Sequence, residues 1–252
     1  GPSSDERLKR MQGIDKAFPC AQALQDGQFE LRPGERHALG GENGAGKSTL
    51  MKVLTGVYQR DAGTIEVKGQ QVEVPNPRAG RDLGISMIHQ ELALANHLTV
   101  AQNISMGREP RGRLSFMLDD KQQVKQTEEL VDRLGLKLDP TAKCGTLKVA
   151  QQQMVEIAKA LSLDASVLIM DEPTAALTDT EIEELFRIIR SLREQGKGVV
   201  HISHRLEELQ QISDRVTVMR DGQHVDTVNT SDVTIDEIIS MMVGRTIYEE
   251  AP

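Results

Sequence analysis

The spacing of apolar residues changes period several times along this chain, and each change marks a different element. Between residues 5 and 35 the pattern is that of short strands and turns. Gln28-Phe29-Glu30-Leu31 alternates as a half-buried strand does, Asp26-Gly27 offers a hairpin turn, and Pro33-Gly34 ends the run. Ala38 and Leu39 close a further strand, and Leu50, Met51, Val53 and Leu54 follow at helical spacing. Gly63 to Val74 reads as a second hairpin, both arms alternating about a glycine-containing turn, so a small antiparallel sheet is expected. Asn76 and Pro77 form an N-cap and N1 pair for a short helix through Asp82. Ile85 to Ile88 is then an apolar strand ending at His89, Gln90 and Glu91.

From Thr99 to about Leu163 the period is helical. Thr99 and Gln102 are spaced as a capping box, Asp119 or Asp120 opens a helix carrying Val124, Leu130, Val131 and Leu134, and Gly135 closes it. A last helix starts near Lys148, with Gln151, Gln152 and Gln153 in its first turn and Met154, Ile157, Ala158 and Leu161 on one face. Ser166 to Met170 is a continuous apolar run, expected of a parallel strand buried on both faces. Thr178 and Glu181 cap a helix with the stripe Ile182, Leu185, Phe186, Ile189 and Leu192 and a stop at Gly196. Val199 to Ser203 is another buried strand, Arg215 to Met219 and His224 to Val228 form a hairpin about Asp221-Gly222, and Thr234 with Glu237 caps a final helix ending at Gly244.

Composition narrows the classes. The 252 residues are 38% hydrophobic, enough for a large α/β core. No apolar run approaches the length of a bilayer crossing, and the polar first ten residues are unlike a signal, so a cytoplasmic chain is expected. Cys20 and Cys144, far apart and outside any metal-ligand spacing, argue against a disulfide framework and a structural zinc. A net charge of −8 with only 2% aromatic residues supplies neither a basic field nor stacking rings, so nucleic acid is not an expected partner.

One stretch carries specific chemistry. Gly41-Glu42-Asn43-Gly44-Ala45-Gly46-Lys47-Ser48-Thr49 reads GxxxxGK[ST] between a strand and a helix, the context that a phosphate-cradling P-loop needs. Its glycines let backbone N–H groups and the positive helix end approach an anion. Lys47 is placed to reach the β and γ phosphates of a nucleotide, and the Ser48 hydroxyl to join an Mg²⁺ shell. Asp171 and Glu172 stand directly after a buried strand. There Asp171 suits the magnesium shell and Glu172 suits polarising the hydrolytic water, which makes it the candidate base. Gln90 and His204 follow two other strand ends, where open parallel sheets present ligand-binding groups. An amide at Gln90 can coordinate Mg²⁺ or the attacking water or be an ordinary loop residue, and His204 can sense a γ-phosphate or merely cap. Phe18, some thirty residues ahead of Lys47, is either a stacking surface for adenine or a turn-packing ring.

In order and approximate spacing, this P-loop, Gln90, the stretch LKVAQQQ, Asp171-Glu172 and His204 resemble an ABC-type ATPase over nearly the whole chain. NPRAGRDLGISMIHQEL and VAQQQMVEIAKALSLDASVLIMDEPTAALT are most similar to the ATP-binding subunits of bacterial monosaccharide importers. The resemblance implies an α/β fold with a RecA-like core, an antiparallel β subdomain and an α-helical subdomain. One domain is expected over residues 5–245, with the antiparallel part and P-loop in 5–75, the helical part in 96–163 and the second part of the core in 164–230. It further implies ATP and Mg²⁺ as ligands, with Phe18 as adenine platform, Gln90 as the Q-loop residue, Asp171 as the Walker B acid, Glu172 as catalytic carboxylate and His204 as switch histidine. Implied partners are membrane permease subunits, a second ATPase domain in tandem or in a dimer and, indirectly, a periplasmic sugar-binding protein. The implied location is the inner face of the cell membrane. An ATP-gated module with little turnover, or a non-transport ABC ATPase acting on ribosomes or DNA, are the rival readings.

Three positions depart from the family pattern. The signature usually written LSGGQ is Leu147-Lys148-Val149-Ala150-Gln151, without the serine hydroxyl and the glycines of close approach. Thr178 stands where many members have aspartate, and Gly40 where an apolar residue commonly precedes the P-loop. Loss of one donor to a transition-state oxygen costs about 10² to 10³ in rate, so a symmetric dimer of this chain is expected to be a poor ATPase. Lys148, a cation opposing the dipole at a helix start, is expected to face solvent.

Overall fold

Ten strands and eight α-helices form among the described residues, 9–106 and 120–244 of a computed structural model. They sort into two sheets. The first is antiparallel, in the order β2-β1-β4-β5, from β1 (Lys9–Phe18), β2 (Ala21–Leu31), β4 (Ala62–Val67) and β5 (Gln70–Gln71). The second has the order β10-β9-β3-β8-β7-β6. Its members β3 (Arg36–Gly40), β6 (Ile85–Ile88), β7 (Val167–Asp171), β8 (Gly198–Ser203) and β9 (Arg215–Arg220) run parallel, and β10 (Gln223–Asn229) pairs antiparallel at the edge.

The first hairpin differs from the sequence expectation. Its turn lies at Pro19-Cys20, because Phe18 pairs with Ala21, and Asp26-Gly27 falls inside β2. Asp26 takes a left-handed φ of 52° at a register shift, and its N–H donates to Asp15 Oδ1 at 2.8 Å. The Asp-Gly pair therefore makes a bulge in one long strand where its pattern predicts a reversal. Gly27 has a packing reason too: a Cβ there would stand 3.3 Å from Leu50 Cδ1 on α1 (Lys47–Leu54), so its absence lets that helix close on the sheet. The second hairpin turns at Lys68-Gly69, both with positive φ, as a two-residue turn requires, but strand β5 ends at Gln71 and the last bond across is Val72 N–H to Ile65 O at 2.9 Å, short of the expected Val74.

The helices follow their caps. Asn76 accepts from Ala79 N–H at 2.9 Å to start α2 (Pro77–Asp82). Thr99 and Gln102 exchange bonds at the start of α3 (Val100–Met106). Thr178 with Glu181, and Thr234 with Glu237, do the same for α6 (Asp179–Glu194) and α8 (Ile235–Val243). Between α3 and α6 come α4 (Asp120–Leu134) and α5 (Val149–Ser162); Asp119 lies outside the described residues, as do residues 5–8 of the first strand region. The sequence pattern predicts no element for residues 205–214, where α7 (Leu206–Ile212) forms and buries Leu209 and Ile212.

Three apolar clusters hold these layers. One joins α4, α5 and α6 to β7 through residues such as Leu130, Ile157, Leu168 and Ile189. A second lies between the two sheets and α1, with Ile14, Leu39, Leu50 and Ile169. The third packs α7 and α8 on β3 and β9 through Ala38, Leu209, Val216 and Ile238. No described helix is long and apolar enough to cross a membrane.

Candidate functional site

The P-loop leaves β3 at Gly40 and turns through residues 41–46 into α1. Gly41 admits no side chain: a Cβ there would stand 2.6 Å from the Met219 carbonyl oxygen and 2.9 Å from Ala45 Cβ. Glu42, Asn43 and Gly44 form the exposed tip, braced by Ala45 N–H to Glu42 O at 3.0 Å. The turn between β9 and β10 supports the loop from below, Gly222 N–H donating to Ala45 O at 3.0 Å. Gly46 caps α1 in the left-handed region, φ 96°, without a side-chain bond to the first turn, and Ser48 and Thr49 follow half-buried. An uncapped helix start of this kind suits an anion.

Lys47, 5% exposed, lies inside this cradle and donates to Gly41 O at 2.5 Å, with Glu172 Oε1 at 3.6 Å. Burial lowers its pKa, and the neighbouring Glu172 and Asp171 oppose that fall. Ser48 Oγ lies 3.0 Å from both Asp171 carboxylate oxygens. Burial raises the Asp171 carboxyl, the Ser48 hydroxyl works against this, and the Glu172 charge adds to the rise. A buried carboxylate pushed toward protonation is relieved by a cation beside it. A hydroxyl with one carboxylate is a hard-oxygen set that leaves positions for phosphate oxygens and water, as Mg²⁺ prefers. Among the described residues no group of three or more His, Cys, Asp or Glu forms an alternative metal cluster.

Register brings the remaining candidates to the same sheet end. Met170 on β7 pairs with Ile88 on β6 and with His201 on β8, so Gln90, Glu172 and His204 leave three adjacent strands. His204 Nδ1 is 3.0 Å from Glu172 Oε1. Glu172 holds a φ of 48°, fixed by its N–H to Ile202 O at 2.9 Å. A non-glycine residue there costs of order 1 to 3 kcal/mol, strain of the kind found at functional sites. Gln90 is exposed two residues past β6 and stands apart from the Lys47, Glu172 and His204 contacts. Phe18 ends β1 with 38% of its surface exposed, its ring 5.1 Å from that of Tyr58 in an edge arrangement. No motif marks Tyr58; its one signal in the sequence is its place just after the P-loop helix. Lys148 is exposed at the N-cap of α5, as expected, its N–H donating to Gln151 Oε1 at 3.3 Å, and Val149 beside it is exposed too.

The profile of a family described as ABC transporter matches residues 24–175. The chain belongs to the ABC transporter family. Among its ABC transporter relatives, a putative ribose/galactose/methyl galactoside import ATP-binding protein 2 from Burkholderia cenocepacia (strain HI2424) is 58% identical over 249 residues, 99% of this chain and 49% of the relative. A putative ribose/galactose/methyl galactoside import ATP-binding protein from Albidiferax ferrireducens is 54% identical over 242 residues, 96% and 48% of the two chains. The chain thus spans about half the length of the curated relatives it matches. A solved nucleotide-free ATP-binding cassette from an ABC transporter shares the fold with TM-score 0.81 at 24% identity, covering 97% of this chain and 98% of that one. A dimeric post-hydrolysis cassette bound to ADP and Pi shares it with TM-score 0.75 at 21% identity, covering 88% and 99%.

Proposed function

We propose that this chain binds and hydrolyses ATP to power sugar import through a membrane ABC transporter, working as one of two ATPase domains. The observation that carries the reading is the meeting, at one sheet end, of the P-loop pair Lys47 and Ser48 with Asp171, Glu172 and His204. On nucleotide binding Lys47 would exchange the Gly41 carbonyl for phosphate oxygens, and residues 41–49 would supply backbone N–H groups. Ser48 and Asp171, with Gln90 as a reversible third ligand, would hold Mg²⁺, which supplies charge neutralisation at the phosphates. Glu172 would polarise the attacking water, oriented by His204 through the 3.0 Å contact, and Phe18 would stack on adenine.

The sugar-import relatives, twice as long as this chain, support the transport assignment and a tandem second domain. With them come permease subunits, a periplasmic sugar-binding protein acting through them, and a cytoplasmic position on the inner membrane face. The altered Lys148-Val149-Ala150 favours a second reading, an ATP-gated module with little turnover. The deciding experiment measures nucleotide binding and the initial rate of Mg-ATP hydrolysis against chain concentration, alone and with an ATPase half carrying an LSGGQ signature. Binding with low turnover that rises on adding the half and vanishes in Glu172→Gln is expected. Failure to bind nucleotide sinks the assignment, and binding without any rise establishes the gated module.

A further inference from the structure

Glu172 and His204 arrive on two separate loops, each beginning where a strand stops. Neither loop alone can set the distance between them. The Glu208 carboxylate, on the first turn of α7, reaches both. Its Oε1 accepts from Thr174 Oγ1 at 2.5 Å, and Thr174 stands two residues beyond Glu172. Its Oε2 accepts from Ser203 Oγ at 3.1 Å and lies 3.3 Å from His201 Nε2, and Ser203 is the residue before His204. Ser203 Oγ in turn accepts from the Arg205 N–H at 3.0 Å, so both flanks of His204 are tied to one hydroxyl.

These groups are buried, Glu208 at 6% and Thr174, His201 and Ser203 at 2% or less. Burial works to raise the Glu208 carboxyl, yet the hydrogen bonds from His201, Thr174 and Ser203 outweigh it and hold the group below its ordinary value. Burying an ionised acid is costly unless it is hydrogen-bonded or paired, and here Thr174, Ser203 and His201 face it at hydrogen-bond distance with the Arg205 guanidinium 3.6 Å from Oε1. The contacts of Lys47 with Gly41 and of Ser48 with Asp171 use none of these side chains.

We propose that Glu208 is the positioning residue of the Glu172–His204 pair: one carboxylate oxygen grips the loop carrying Glu172, the other the strand end carrying His204, and together they set the 3.0 Å contact. The proposal rests on the ATPase reading above, and it predicts a defect in turnover with nucleotide binding spared. Glu208→Gln keeps the volume but replaces one acceptor by a donor, and Thr174→Val removes one donor with little change of shape.

The test follows both variants by ring ¹⁵N NMR of His204, assigned with His204→Asn, and by kcat and KM for Mg-ATP in the presence of the LSGGQ-bearing half. The expected result is a displaced His204 ring signal in each variant. With it, kcat should fall roughly ten- to a hundredfold while KM and nucleotide affinity stay within about twofold, as for small misplacements of reacting groups. Parent-like ring signals and kcat in both folded variants overturn the proposal. So does a loss of kcat and affinity together that tracks a lowered melting temperature. Should the parent itself not hydrolyse ATP, the functional reading falls, while the NMR comparison still decides whether Glu208 positions the pair.

Discussion

Replacing Gly40 by valine tests how the strand that feeds the P-loop is packed. A Cβ on Gly40 would stand 3.0 Å from Leu209 Cδ1 and 3.7 Å from Val216 Cγ1. The space beside the strand at Gly40 is filled from α7 by Leu209. Gly40 has no positive φ, so the backbone accepts a side chain and the unfolded chain loses freedom, a gain of about 0.4 to 1 kcal/mol. Overpacking against a fully buried Leu209 costs about 1 to 3 kcal/mol, and it wins. Gly40→Val should therefore lower the melting temperature by several degrees, at roughly 2 to 4 °C per kcal/mol for a chain of this size. Leu209→Ala opens a cavity and costs about 2 to 5 kcal/mol alone. In that background Gly40→Val refills the space it would otherwise contest, and its effect reverses sign. Thermal and urea unfolding of the four proteins measure the cycle. A Gly40→Val effect of the same sign and size in both backgrounds would refute the packing argument.

Two further predictions concern charge. Lys9 is fully buried with Nζ on Leu83 O at 3.2 Å, and burial first, then Lys68, lowers its pKa from 10.5 to about 8. The folded value lies below the unfolded one, so folding is penalised fully below pH 8 and the penalty fades as pH rises to 10.5, by at most about 3 kcal/mol. Lys9→Met should thus be more stable than the parent at pH 7, with an advantage that shrinks by pH 10. Urea midpoints at the two pH values check this, and a pH-independent gap contradicts it. Lys148→Ser restores the serine of the usual signature, and ATP turnover of the chain alone should rise; no gain removes Lys148 as the limiting defect.

Much of the fold was legible because its signals are local. Four caps and the glycine stop at 135 are written within a few residues, and the two apolar runs that became β7 and β8 are buried on both faces. The catalytic candidates were legible for the same reason, each adjoining a strand end. What escaped depends on partners remote in sequence. Asp26-Gly27 carries a turn signature that a bulge satisfies equally well, and only the pairing of β1 with β2 chooses between them. Helix α7 is a short helix among charged residues, and the hydrogen bond of Glu208 is made with Thr174, thirty-four positions back. At Gly40 the sequence shows only the absence of a side chain, and Leu209 standing against it is visible only in the fold.

The position of β3 between β8 and β9 has a consequence for synthesis. Arg36 is paired with Val199 and His37 with Arg215, so the strand that launches the P-loop waits for neighbours roughly 160 to 180 residues downstream. At ~5 to 20 residues per second that wait is on the order of 10 to 30 s. During it both edges of β3 lack their strand partners, while β1, β2 and α1, which also pack on Leu39, are already made. The nucleotide cradle, translated well before β8 and β9, is therefore completed only once the residues to about 220 have been made.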